Sequence, residues 1–271
     1  MNKTVRKILM FIKRDFLIAA SYRLSFLLDA ITILASTATF FFVSRLIPAG
    51  TSAHLKEFGG DYFSFVLIGL AFSGYLQAAL QGFAQTLLHE QSEGTLEILL
   101  LSPTKISTLL ACGAAAKFTL ATLRVAIYFF LGWFIFGFSF ARINVLSFLT
   151  VLILTVLSFS SLGIISASFI IVLKRGDPVS WVTGGLSRLF GGVFFPVAVL
   201  PPILKKVSAF IPLTYSLDGM RKSILLGAGL GDIFPQAAML ALFFAVLFPV
   251  GTLSLKKALN KAKRNGSLLY S

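Results

Sequence analysis

Three carboxylates cluster at one point of this 271-residue chain: Glu90, Glu93 and Glu97 lie within eight positions, although the whole chain has only ten acidic residues. Spacings of three and four residues place all three on one face of a helix. Another face of the same helix is apolar and carries Leu96, Leu99 and Leu100. Such a helix attracts cationic groups along one side and packs against apolar groups along the other.

The cationic partner of this acidic face can come from two sources. It can be the chain's own basic residues, such as Lys105, Lys117 or the chain ends, or it can be a separate basic protein. Anionic lipid head groups repel such a helix. Because exposed ion pairs contribute only about 0.2–1 kcal/mol each, docking to another protein would also need the leucine face.

The side chains give little support for a metal site or a nucleotide-binding site in this chain. Cys112 is the single cysteine, and the two histidines, His54 and His89, are far apart in sequence. We therefore expect no disulfide within the chain and no metal site. The sequence also contains no Gly-x-x-x-x-Gly-Lys-Ser/Thr motif. We expect no cofactor in this chain, so any ATP and magnesium would be bound by another one.

Four charged residues fall within or beside long apolar stretches: Asp29, Lys117, Arg124 and Arg188. Charges in hydrocarbon are costly and usually face a protein interior or a water-filled cavity. Structural pairing among the four is the preferred interpretation, and contact with a substrate or a proton route is the alternative. Because Asp29 is isolated from other carboxylates in the apolar stretches, a proton relay is poorly supported.

The composition places these groups in a membrane protein. Hydrophobic residues make up 57% of the chain, charged residues 13%, and the mean hydropathy is +0.91. A soluble domain has about 25% charged residues. About 20 apolar residues cross the bilayer as a helix. The sequence therefore predicts an all-α membrane protein with six transmembrane helices, at Ala30–Ser44, Tyr62–Leu88, Val125–Ala141, Ile143–Leu173, Pro178–Leu204 (interrupted at Arg188) and Ile233–Leu255. The first span extends back to Leu24 if Asp29 is tolerated, and the third extends back past Arg124 toward Lys117.

The basic residues predict the orientation. They concentrate in the first 23 residues, after the fourth span and in the C-terminal tail, so the positive-inside rule puts both termini in the cytoplasm. The net charge of +14 is thus a topology signal, and we expect no nucleic-acid partner. One group would face outward, against the rule, and has no explanation in the sequence: Lys205, Lys206, Arg221 and Lys222.

The N-terminal segment, residues 2–20, alternates apolar and basic residues with helical spacing. One face carries Val5, Ile8, Leu9, Ile12 and Phe16, and the other carries Lys3, Arg6, Lys7, Lys13 and Arg14. This pattern predicts an amphipathic helix lying on the cytoplasmic leaflet, where anionic lipids attract its basic face.

Prolines divide the segment between the last two predicted spans. Pro196, Pro201, Pro202 and Pro212 cannot all lie inside one uninterrupted helix. Broken backbone at membrane depth needs cover from protein or a water-filled cavity. We expect residues 196–222 to form a re-entrant pair of short helices on the outer side, and an ordinary outer loop is the alternative.

Two motifs resemble those of a known family. The first is Glu93-Gly94-Thr95-Leu96-Glu97, followed by Leu99-Leu100 and Ser102-Pro103. The second runs through Gly191–Pro196, Leu200-Pro201, Ile211–Tyr215 and Asp218–Arg221. In order and spacing both resemble the signatures of the ABC-2 type transporter permeases. The resemblance covers nearly the whole chain.

The resemblance implies a six-span subunit of an ABC exporter. The subunit would form a homodimer or heterodimer, pair with two ATPase subunits, and export a drug, an antibiotic or a lipid-like molecule from the cell membrane by alternating access. Residues 89–101 would be the coupling helix. The residues implied in ATPase coupling are Glu90, Glu93, Gly94, Thr95, Leu96, Glu97, Leu99, Leu100 and Pro103. Those implied in the outer re-entrant segment are Pro196, Pro201, Pro202, Pro212, Tyr215 and Arg221.

The residues alone leave three other functions open. A glycan-exporting subunit of the same family would share these motifs. A free-standing channel or secondary carrier would transport without ATP. A membrane-embedded enzyme would need a cluster of His, Asp or Glu at one depth, and the sequence shows none.

Overall fold

A computed structural model describes residues 3–47, 53–92, 106–140, 142–173 and 177–264. Within these residues the chain is all-α, with no β-strand. Its α-helices are α1 (Lys3–Ser21), α2 (Arg23–Leu46), α3 (Ala53–Lys56), α4 (Tyr62–Ser92), α5 (Ile106–Phe134), α6 (Val145–Leu173), α7 (Pro178–Phe190), α8 (Pro202–Ala209), α9 (Pro212–Arg221) and α10 (Phe234–Arg264). A 3-10 turn, Val197–Val199, precedes α8, and a π-helical turn, Lys222–Leu226, follows α9.

Five helices of the described chain are long and apolar enough to cross a membrane: α2, α4, α5, α6 and α10. They confirm an all-α membrane protein. The fifth predicted span differs, because α7 has 13 residues and ends at Gly191. A helix of that length extends only about 20 Å, short of the roughly 30 Å of hydrocarbon. A sixth crossing therefore stays a prediction that depends on the segment after α7.

Two helices include the charged residues past which the predicted spans extend. Helix α2 begins at Arg23, so the first span extends back beyond Asp29, as predicted if that charge is tolerated. Helix α5 covers 106–134, so the third span extends back past Arg124 and Lys117 and ends before the predicted Ala141. At the other end, residues 135–140 form a turn in which Gly137 has a φ of +74°, a conformation that a helix cannot continue.

Helix α4 is the centre of the bundle. Phe65, Leu67, Ile68 and Phe72 are fully buried along it, and it packs against α2, α5, α6, α7 and α9. Its 31 residues extend about 46 Å, which is longer than a bilayer core. Helices α6 and α10 form the other extensive contact. The core is thus a set of helices packed around α4.

A polar cap fixes the start of α7. The Asp177 carboxylate accepts a hydrogen bond from the backbone N–H of Ser180 at 3.0 Å, and Pro178 occupies the first helical turn. This is the favoured pairing of an acidic N-cap with proline at the first helical position. The hydroxyl of Ser166 on α6 donates to the same carboxylate at 2.6 Å. Asp177 therefore begins α7 and attaches it to α6.

The N-terminal segment is helical throughout, as predicted. Helix α1 packs against α5 and, less extensively, against α2. Its apolar residues are about half exposed: Leu9, Met10, Phe16, Leu17 and Ile18. An exposed apolar stripe is what a helix on a membrane surface needs. Its position at the membrane interface stays a prediction.

Candidate functional site

A polar cavity of about 370 Å³ opens between α2, α4, α5 and α7. All four charges predicted to lie in apolar stretches line it: Asp29 from α2, Lys117 and Arg124 from α5, and Arg188 from α7. The prediction found each residue separately. The structure brings them together from three helices that are distant in sequence.

Two of the four charges form an ion pair. The Arg124 guanidinium lies 2.6 Å from the Asp29 carboxylate and donates a hydrogen bond to it. The pair joins α2 to α5. About half of each side chain is exposed, at 60% for Arg124 and 50% for Asp29. In this isolated chain the pair is therefore accessible from outside the bundle.

The other two charges have no such partner. Within the described part of the chain, neither Lys117 nor Arg188 makes a hydrogen bond or an ion pair. Lys117 packs by its aliphatic stem against Gly82 of α4 and is partly buried. Arg188 is exposed on α7. The cavity thus holds two cations without a counter-charge among the described residues.

Helix α4 supplies neutral polar groups to the same cavity. Ser73, Gln77 and Gln81 line it at intervals of four residues, so they form one polar stripe along the apolar part of the helix, Tyr62–Phe83. The amide of Gln77 lies close to Gly184 of α7, which lets α7 approach the stripe. The two glutamines were not among the predicted site residues. Their four-residue spacing inside an apolar span was the signal that could have revealed them.

The predicted re-entrant segment, residues 196–222, folds as a pair of short helices, α8 and α9. The prolines mark its breaks: Pro196 comes before the 3-10 turn, and Pro202 and Pro212 begin α8 and α9. Proline at the first helical position removes no intrahelical hydrogen bond. Only Phe210 and Ile211 connect the two helices.

Side-chain hydrogen bonds hold α8 to α9 and the pair to α7. The Thr214 hydroxyl of α9 donates to the carbonyl oxygen of Ser208 on α8 at 3.0 Å. The Ser208 hydroxyl donates to the carbonyl oxygen of Phe190 at 2.7 Å, which ties the end of α8 to the end of α7. The Tyr215 hydroxyl donates to the carbonyl oxygen of Ala209 at 3.1 Å. Whether the pair lies at membrane depth stays a prediction, because the structure contains no membrane.

Arg221 anchors the α8–α9 pair to the bundle. Its side chain is 3% exposed. Its Nε and Nη2 atoms donate to the carbonyl oxygen of Phe65 at 3.1 and 3.0 Å, and Nη2 also donates to those of Gly192 and Val193 at 2.8 and 3.3 Å. Its Cζ lies 3.4 Å from the ring centroid of Phe65. The guanidinium thus joins α9, the start of α4 and the turn after α7.

The Asp218 carboxylate, one turn before Arg221 on α9, makes further contacts. It accepts a hydrogen bond from the Gln236 amide of α10 at 2.5 Å and pairs with the Lys222 ammonium at 3.2 Å. This network extends the anchor from α9 to α10.

The acidic link lies mostly outside the described residues. Residues 89–92 continue α4 without a break, and α5 begins at Ile106. Residues 93–105, which hold Glu93, Glu97 and Pro103, are not among those described. The role predicted for residues 89–101 is therefore untested by the structure.

A larger opening of about 900 Å³ lies between the end of α2 and the start of α4, lined by Arg45, Lys56 and Asp61 among others. It adjoins residues 48–52, outside the described chain, so its boundary is undefined. The residues described hold no group of three or more His, Cys, Asp or Glu side chains that could bind a metal ion.

Comparison with protein families decides the class of the chain. Residues 6–225 match the model of the ABC-2 type transporter family. The match includes the polar cavity, the acidic link and the α8–α9 pair.

The chain belongs to the ABC-2 type transporter family.

Curated relatives of this ABC-2 chain include the inner membrane transport permease YadH of Escherichia coli K12, with the same identity to the forms from Escherichia coli O157:H7 and Shigella flexneri. The identity is 27% over an alignment of 183 positions, which covers 65% of this chain. The matched region spans 66% of the relative's length. Family and relatives together support a transmembrane ABC transporter subunit, and the family implies partnership with an ABC ATPase.

Proposed function

We propose that this chain is the permease subunit of an ABC exporter, driven by a separate ATPase. The observation that supports this best is the polar cavity, which lies between apolar helices in a chain of this family. Its substrate would be hydrophobic or amphipathic, such as a drug, an antibiotic or a lipid. Export of a lipid-linked glycan is the alternative within the family. This chain would bind no nucleotide, and ATP and magnesium would bind to the ATPase.

The proposed topology has six crossings with both termini in the cytoplasm. The membrane would be the cell or inner membrane, because the name of the relative YadH places that protein in the inner membrane. Helix α7 and the segment after it would make the fifth crossing. The α8–α9 pair would then dip into the membrane from the outer side. Prolines at the helix starts and the carbonyls bound by Arg221 support this arrangement, because broken backbone at that depth needs internal partners.

Energy would enter at residues 89–101. Helix α4 reaches Ser92 and α5 begins at Ile106, so two long helices flank the acidic link. The link would dock on the ATPase, with Glu90, Glu93 and Glu97 meeting basic groups and the leucines filling a groove. Movement of the link would be carried by α4 toward Phe65 and the Arg221 anchor, because α4 is one unbroken helix.

The permease would act as a dimer, with a second copy or a related chain. The charges of Asp29, Arg124 and Arg188 are exposed in the isolated chain. Facing lipid, each would be costly. A second subunit against α2 and α7 would cover this face and enclose a path between the subunits. Closure of the ATPases would reorient the helices around that path, which is transport by alternating access.

The docking role of the acidic link can be tested by charge reversal. In a Glu93→Lys, Glu97→Lys variant we expect normal membrane insertion and weaker association with the ATPase, because two cations would face its basic surface. The measurement is co-purification of the ATPase with the tagged permease.

Glu57→Lys, on the turn between α3 and α4, is the matched control and should co-purify as wild type. Undiminished co-purification of the ATPase with the Glu93→Lys, Glu97→Lys variant would show that the link is not its docking segment.

A further inference from the structure

We propose that the polar cavity binds the anionic group of an amphipathic substrate, a phosphate or a carboxylate. This inference rests on the proposed transport function and narrows its substrate class. It is carried by the charges that line the cavity, by their pairing and by the apolar residues among them.

The charges of the cavity do not balance. Three cations, Lys117, Arg124 and Arg188, face one carboxylate, that of Asp29. The short ion pair with Arg124 already occupies that carboxylate. Lys117 and Arg188 are left, and the described residues offer them neither a hydrogen bond nor an ion pair. An anion with one or two negative charges would restore the balance.

A structural role does not explain these two cations. The fully buried Arg221 shows how this chain stabilises a charge for structure alone, with four hydrogen bonds to three carbonyl oxygens. Lys117 and Arg188 make no such hydrogen bonds with the residues that the structure describes. Unpaired charges in a membrane segment usually mark a substrate or ion pathway. Because both residues line the same cavity, we infer that the missing partner enters that cavity.

The available donors suit an oxyanion. The guanidinium of Arg188 presents a planar fork that matches phosphate and carboxylate oxygens, and the ammonium of Lys117 adds a second charge. The amides of Gln77 and Gln81 line the same wall and can donate further hydrogen bonds. A zwitterion or a cation would leave the excess positive charge uncompensated.

The cavity also offers an apolar surface. Leu70, Ala71, Leu120 and Ala121 line it beside the polar groups. Its volume of about 370 Å³ lies within the range of small-molecule sites, roughly 300–1,000 Å³. Lys117 and Arg124 lie two turns apart on the same face of α5, about 10 Å along the helix. An anionic head group could therefore pass from one cation to the next while its chain stays against apolar residues.

The inference predicts a preference by charge that binding can measure. The permease, in phosphatidylcholine nanodiscs, is incubated with radiolabelled dodecyl phosphate, dodecylphosphocholine or dodecyltrimethylammonium, which share one chain and differ in head-group charge. Retention by empty nanodiscs is subtracted. We expect saturable binding of dodecyl phosphate and at least tenfold weaker binding of the other two probes. Equal binding of all three, or a preference for the cation, would overturn the inference.

Variants connect the binding to the cavity. In a Lys117→Gln, Arg188→Gln variant the affinity for dodecyl phosphate should fall about tenfold or more, because charge-assisted hydrogen bonds are lost. Asp29→Asn should raise that affinity, since it frees Arg124. The control variant Lys257→Gln removes an exposed cation of α10 outside the cavity. It should bind dodecyl phosphate as the wild type does. Full affinity in the Lys117→Gln, Arg188→Gln variant would overturn the inference.

Competition identifies the source of the anionic group. Phosphatidic acid in the nanodisc should displace dodecyl phosphate, whereas inorganic phosphate in the buffer should not, if the ligand must be amphipathic. Displacement by inorganic phosphate alone would contradict the amphipathic part of the inference.

Failure of this inference can be separated from failure of the proposed function. Association with the ATPase is measured on the same preparations by co-purification. Association without a preference for anions would refute the substrate class and leave the exporter standing. Anion binding without any associated ATPase would refute the exporter and leave the anion site standing.

Discussion

Arg221 and two cations of the polar cavity, Lys117 and Arg188, differ in how their positive charge is compensated. Arg221 is buried, and carbonyl oxygens from three separate residues accept its hydrogen bonds. Lys117 and Arg188 lie on the surface of an open cavity and have no partner among the described residues. The first arrangement is complete within the chain and stabilises the fold. The second is incomplete, which is what a site for something outside the chain requires.

The largest effect on stability should come from Arg221→Met. The substitution leaves the carbonyl oxygens of Gly192 and Val193 buried without a donor, and each costs about 1–3 kcal/mol. The carbonyl oxygen of Phe65 loses its side-chain donor as well. We expect the free energy of unfolding to fall by about 3 kcal/mol or more, measured by unfolding in detergent micelles. Lys205→Met, at an exposed cation on α8, is the control. A loss no larger than that of the control would remove Arg221 from its anchoring role.

A smaller loss should follow Gly69→Ala on α4. A Cβ at Gly69 would lie 2.3 Å from the carbonyl oxygen of Val193 and 2.9 Å from Nη2 of Arg221. Overpacking of this kind costs about 1–3 kcal/mol. Gly74→Ala, on the same helix with nothing within 4 Å of its Cβ, should be neutral or stabilising. Equal free energies of unfolding for the two alanine variants would contradict the close packing at Gly69.

Asp29→Asn should change stability little, by about 0–1 kcal/mol, because both partners of its ion pair are half exposed and screened. A double-mutant cycle with Arg124→Gln measures the coupling energy. Coupling of several kcal/mol would mean that the pair is buried in the working protein and fixes α2 to α5. In that case the Asp29–Arg124 pair, which lines the cavity, would also stabilise the fold.

The smallest effect on stability is expected for Lys117→Gln with Arg188→Gln, within about 0.5 kcal/mol of wild type. No hydrogen bond of the described chain is lost. Unfolding in the same micelles checks this. A loss of stability approaching that of Arg221→Met would show that these two cations are structural groups, as Arg221 is.

The sequence predicted those features that depend on local composition. Four of the six spans were located by apolar runs, and the breaks around α8 and α9 by prolines. The predicted extension of the third span past Arg124 toward Lys117 matches α5, whereas its predicted end at Ala141 is too late. A single sequence does not show that Arg124 and Lys117 face one cavity. The start of α7 depends on Asp177, whose acidic cap and following proline were a readable signal that went unused.

Contacts between helices that are distant in sequence could not be predicted from local sequence patterns. Nothing near Asp29 in sequence identifies Arg124 as its partner, 95 positions away. The excess of basic residues between the last two spans was unexplained by the positive-inside rule. The structure explains two of the four: Arg221 is buried among carbonyl oxygens, and Lys222 pairs with Asp218. Lys205 and Lys206 remain exposed on α8 without an explanation.

The most direct test of the account is ATP-dependent movement of a fluorescent amphipathic anion across proteoliposomes that contain this chain and its co-purifying ATPase. The account predicts transport only with both chains and with ATP hydrolysis, and none with an ATPase variant that cannot hydrolyse ATP. Flux of the same probe through the purified chain alone, without ATP, would contradict it and identify a free-standing channel or carrier.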